Sequence, residues 1–141
     1  MEDDVNFVRV HGEKIRDIWP QVDEFIISAY QRDDQVVAID QVYKDLLENK
    51  SQLWGFFDET LKAVVVGRVR AGQRFRGYEL YIVAGEGKEH WTQWILPIEE
   101  YARQQSCQEL YITGRQGWAR VFKDLGYTVK YVTLSKDLED A

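Results

Sequence analysis

The chain has 141 residues, 45% of them hydrophobic and 13% aromatic, the size range of one domain able to bury a core without staples. Eighteen Lys and Arg against 24 Asp and Glu give a net charge of −6, which argues against general attraction to nucleic acid or to an anionic membrane surface. Cys107 is the only cysteine, so no intrachain disulfide is possible; no Cys/His spacing suits zinc and no apolar run approaches the ~20 residues of a membrane span. The acidic start, Met1 to Asp4, does not read as a secretion signal, and a reducing, cytoplasmic setting is expected.

In chain order, residues 7–10 read as a short strand. Ile15, Ile18, Trp19, Val22, Ile26 and Ala29 follow at helical spacing. Pro20 suits the first turn of that helix, with Asp17 as its cap, because a proline there gives up no intrahelical donor. Ile39, Val42, Tyr43, Leu46 and Leu47 predict a second helix ending near Asn49. Residues 53–57 and 63–70 are rich in β formers and separated by a polar turn of hairpin length. Residues 77–83 turn apolar on both faces, which predicts the middle strand of a sheet covered on both sides.

Trp91, Trp94, Ile95, Ile98 and Ala102 mark a long helix that Pro97 interrupts, so a kink is expected there. Residues 109–113 predict a strand, 116–125 a helix and 129–134 a last strand, with the acidic end frayed. The order is β-α-α-β-β-β-α-β-α-β with no repeat and no linker. It predicts one α+β domain over residues 1–141, built on a mixed, mostly antiparallel sheet flanked by helices.

Four arginines, Arg68, Arg70, Arg74 and Arg76, surround Gly72 and Phe75 at an expected hairpin tip. They could grip phosphate or an acidic partner, or be paired and solvated on a strand edge. Arg115 sits between Gly114 and Gly117 near a helix start, where a cation opposes the helix dipole; an anion or a buried carboxylate would resolve the conflict. His11 and His90 are far apart in sequence and have no Ser or Cys nucleophile signature, so neither a triad nor a metal site is expected. Five tryptophans exceed what a minimal core needs, which points one or two of them at a cleft or partner surface.

This element order, closed by Gly114-Arg115-Gln116-Gly117-Trp118 and then Gly126-Tyr127, resembles the GNAT superfamily of N-acetyltransferases over residues 7–134. Within it the closing motif is most similar to small GNAT-like proteins encoded by tailed bacteriophages. The resemblance implies acetyl-CoA as the acyl donor, with no metal, and a small amine as the acceptor. The phosphate-holding loop would then fall on Val83, Gly85, Gly87 and Lys88, although Gly85 and Gly87 read equally as a strand-to-helix turn.

On the same resemblance Glu79 would be the base that takes the amine's proton, or else a paired strand glutamate. The position of the usual tyrosine acid is Phe122, which has no proton to give. Tyr127 or Tyr111 could substitute, or catalysis is lost. The competing expectation is a non-catalytic phage accessory or virion-associated protein that binds a phage or host protein and resides in host cytoplasm or virion.

Overall fold

The computed structural model describes residues 5–30, 37–86, 90–114 and 117–139. Five strands, β1 (Val5–Val10), β2 (Gln52–Asp58), β3 (Thr60–Ala71), β4 (Arg76–Gly85) and β5 (Glu109–Ile112), form one sheet in sequence order. The first four pair antiparallel and β5 joins β4 in parallel. Helices α1 (Gly12–Tyr30) and α2 (Ile39–Leu47) lie between β1 and β2 in the chain, α3 (Trp91–Gln104) joins β4 to β5, and α4 (Gly117–Phe122) follows β5, ending in a 3-10 turn, Lys123–Leu125.

The alternation of β3 builds two cores. Val64 and Val66 pack with Ile15, Val22, Ile26, Val42 and Leu46 of α1 and α2. Ala63 and Val65 pack on the opposite face with Trp94, Ile95, Ile98 and Phe122 of α3 and α4. Successive side chains of a strand point to opposite faces, so helices on both sides turn an alternating pattern into a continuous apolar run. This is the expected α+β class. Residues 77–83 lie in β4 and are covered on both faces as expected, but the strand with two neighbours on each side is β3.

Other sequence expectations are corrected as well. The first helix begins at Gly12, so Pro20 lies in its interior and Asp17 does not cap it. Pro20 sits on the exposed side, as does Arg16 four residues earlier, whose carbonyl loses a helical donor where water is available. Pro97 is likewise exposed, and α3 continues through it where an interruption was expected.

The last strand is corrected too. Residues 127–138 have no regular structure, and Val129, Tyr131, Val132 and Leu134 are each more than two-thirds exposed. Their β-forming composition drew the expectation. Strand preference is realised only against a ladder partner and a covered face, and this segment has neither among the described residues. Of the tryptophans, Trp54 and Trp94 are buried and Trp19 and Trp118 half-buried, while the Trp91 side chain lies outside the described residues. No helix among the described residues is long and apolar enough to cross a membrane.

Candidate functional site

The parallel pairing of β4 with β5 creates the most distinctive feature. It runs from Gly77 opposite Glu109 to Leu80 opposite Ile112, and Thr113 N donates to the Leu80 carbonyl at 3.1 Å. There β5 ends, whereas β4 continues to Gly85 along β3. Among the described residues, 81–85 therefore have a strand on one edge only, and the two strands open into a fork at their carboxyl ends. Open α/β sheets bind ligands in this kind of crevice.

A bulge prepares the opening. On β3, Val66 faces Ile82 while Gly67 faces Leu80, leaving Tyr81 without a partner. An extra residue re-aims the side chains beyond it. Tyr81 and Ile82 consequently both join the core under α1 and α2, while Val83 turns to the other core.

Val83 is half-buried on the open segment of β4. Gly85 ends the strand at φ +115°, and a Cβ there would lie 2.6 Å from the Ala63 Cα and also collide with the Lys62 carbonyl. Glycine is thus required by backbone geometry, whatever binds nearby. Gly87, Lys88 and Arg115 lie outside the described residues. Helix α3 starts just beyond, after His90, whose side chain caps none of its amides and packs instead on Phe56 and Trp94.

Glu79 is buried on the face toward α1 and α2 with both oxygens engaged. Arg68 Nε and Arg70 donate to Oε1, each at 3.1 Å, and Thr113 Oγ1 donates to Oε2 at 2.7 Å. Burial pushes its pKa up, but the hydrogen bond from Thr113 and the two arginines outweigh it and hold the carboxyl below the usual range. As a base it would have to release these donors. Arg68 also lies over the Tyr81 ring, 4.2 Å from its centroid, and the Tyr81 hydroxyl meets Ser51 Oγ at 2.8 Å.

Phe122 is fully enclosed, between Trp118 and Tyr127. The Tyr127 hydroxyl donates to Glu99 at 2.6 Å; burial, then that carboxylate, raises its pKa far above the ordinary tyrosine value. It holds its proton rather than offering it. Of the arginine cluster, Arg68 and Arg70 converge on Glu79, and Arg76 donates to the Gln105 carbonyl at 2.6 Å, so these three are paired.

Residue patterns gave no hint of Thr113, Tyr81 or Glu99. Only the period-two relation of Tyr81 to Glu79, and the place of Thr113 just after a strand, could have brought the first two forward. A separate cavity of about 240 Å³ lies among β1, α1 and α2 and is lined by no residue of β4 or β5. No group of three potential metal ligands occurs among the described residues.

This forked sheet with helices on both faces is the GNAT acetyltransferase fold. The chain superposes on a predicted acetyltransferase from Clostridium acetobutylicum solved with acetyl-CoA, at TM-score 0.70 and 12% identity, covering 97% of this chain and 98% of that one. An aminoglycoside acetyltransferase from an uncultured soil metagenomic sample gives 0.68 at 11%, covering 95% and 96%. A ribosomal-protein-alanine N-acetyltransferase from Brucella melitensis gives 0.65 at 15%, covering 95% and 99%. At such identities the likeness is one of fold. No family model and no curated protein matches the sequence.

Proposed function

We propose that the chain is an acyltransferase that takes its acyl group from acetyl-CoA and passes it to an amine. The observation carrying this reading is the fork. Beyond Leu80, the β5-side edge of β4 is a row of backbone donors and acceptors that no strand among the described residues satisfies. Such an edge suits an extended ligand bearing amides of its own, as the pantetheine arm of acetyl-CoA does. The solved relative with acetyl-CoA supports the same donor.

Val83 and Gly85 would hold the donor on this edge, with Gly87 and Lys88 following in sequence toward the start of α3. Free first-turn amides there favour a pyrophosphate. When bound, acetyl-CoA supplies an acyl group activated as a thioester. The contribution of the chain is chiefly orientation: Phe122 has no proton, Tyr127 keeps its own on Glu99, and Glu79 is held ionised by three donors. In this reading the amine attacks the thioester carbonyl uncharged, the ammonium nitrogen so formed gives its proton to solvent, and the departing thiolate takes one from solvent.

The same three facts favour one second reading, a non-catalytic scaffold for a protein partner; the resemblance of the closing motif to phage-encoded proteins is what would put that partner in a phage particle or its host. A thermal-shift titration with acetyl-CoA separates the two. At ~100 times the dissociation constant, linkage gives about 2.7 kcal/mol, or roughly 5–10 °C for a domain of this size. A saturable shift that disappears on Gly87→Glu supports the enzyme. A flat response at millimolar acetyl-CoA sinks it and leaves the scaffold.

A further inference from the structure

Arg68 is fixed more firmly than a surface arginine needs to be. Its Nε donates to Glu79 Oε1, and its guanidinium face rests on Tyr81. Glu79 is itself anchored by Thr113 at the mouth of the fork. The Arg68 side chain nevertheless keeps 24% exposure, and its two terminal nitrogens donate to no described residue. A guanidinium held by Nε and one face presents its remaining N–H groups as a planar fork, which matches a carboxylate or phosphate bidentately.

The local charge agrees. Among the described ion pairs, one carboxylate, Glu79, serves two guanidinium groups, Arg68 and Arg70, within a chain of net −6, and the next carboxylate, Asp45, acts on the Tyr81 side of the cluster. Arg70 is 59% exposed and adds a second cation beside the first. The cluster also lies on the α1 and α2 face, because Tyr81 belongs to that core. Helix α3, whose start is assigned to the donor's pyrophosphate, packs on the opposite face. Two ligands would thus reach the fork from opposite sides of the sheet.

We propose that Arg68, with Arg70 beside it, binds an anionic group carried by the acceptor, so that the substrate class is a small amine bearing a carboxylate or a phosphate. This rests on the acyl-transfer reading of the fork. Glu79 is then a positioning residue: it holds both guanidinium groups in place, and Thr113 ties that arrangement to the end of β5.

The test is an NMR titration of the ¹⁵N-labelled full chain, following the Arg68 Nε–H and Thr113 amide signals. The probes are two matched pairs, O-phosphoethanolamine with ethanolamine and β-alanine with propylamine. At least one anionic member should give saturable shifts and bind at least about tenfold more tightly than its neutral counterpart, roughly the effect of one charge-assisted contact. The pair that responds tells phosphate from carboxylate.

Arg68→Gln should abolish the response, Arg68→Lys should weaken it, and Arg70→Gln provides a variant that leaves the Tyr81 stack in place; retained amide spectra certify the fold of each. Equal binding of charged and neutral amines, or anion binding that survives Arg68→Gln, overturns the proposal. So does acetyl-CoA shifting the Arg68 signal and excluding the anion, which would put Arg68 in the donor site. Acetyl-CoA binding is read separately by thermal shift. Anion binding with no acetyl-CoA response overturns acyl transfer, and the acceptor role with it, while the anion site stands.

Discussion

Glu79 shows how one residue's surroundings choose between roles that its identity leaves open. A glutamate on a half-buried strand has two fates: desolvation raises its pKa toward that of a base, or donors gather and lower it. Here burial works upward, and Thr113, Arg68 and Arg70 together work downward and win, leaving the carboxyl below its ordinary 4.5. A depressed native pKa stabilises the fold wherever the unfolded carboxyl is also ionised, and that stabilisation fades as pH falls through the native value. Glu79→Gln should therefore cost about 1–3 kcal/mol in urea denaturation at neutral pH, the range for a lost charged hydrogen-bonding partner. The gap to the wild type should stay level above about pH 5.5 and close below about pH 4. A gap that widens in acid would mean the carboxyl is raised rather than lowered.

Among the elements, β4 carries the architecture of the site. Its first half is a parallel partner of β5, the Tyr81 bulge turns its face, and its second half has one free edge. Gly85 closes it at a positive φ against the backbone of Lys62 and Ala63. Gly85→Ala should therefore destabilise by more than about 2 kcal/mol, because left-handed strain and a backbone collision add. Chemical denaturation checks this directly. A neutral result would show that the strand end can relax, and would return Gly85 to the status of a ligand-binding glycine.

For the whole molecule, the two cores account for the buried apolar surface, and residues 129–138 stand outside both. Five of the eight large hydrophobic residues exposed among the described residues lie in that short stretch. Its described ties to the sheet run through Lys130, which donates to Glu109 at the start of β5 and lies over the Phe75 ring. Deleting residues 129–141 should accordingly shift the melting temperature by no more than about 2 °C, since little apolar area is uncovered. A loss of ten degrees or more would show that the segment packs against the sheet in solution.

Periodicity alone located both faces of the sheet. Ile15, Val22 and Ile26 repeat at helical spacing, and the apolar run of β4 required cover on both sides; those are local consequences of where side chains point. The glycine requirement at the end of β4 was legible as well, as a turn glycine. Tertiary structure alone decided the rest. The partners of Glu79 on β4 come from β3 and from just beyond the end of β5, elements that no spacing rule places together, and its titration direction is a sum over all of them. Pro20 looked like a helix start because its missing donor is harmless there, yet it is equally harmless in mid-helix on a wet face. Residues 129–134 have the composition of a strand without being one. A ladder is a property of two segments, and the sequence of one cannot report whether the other is there to receive it.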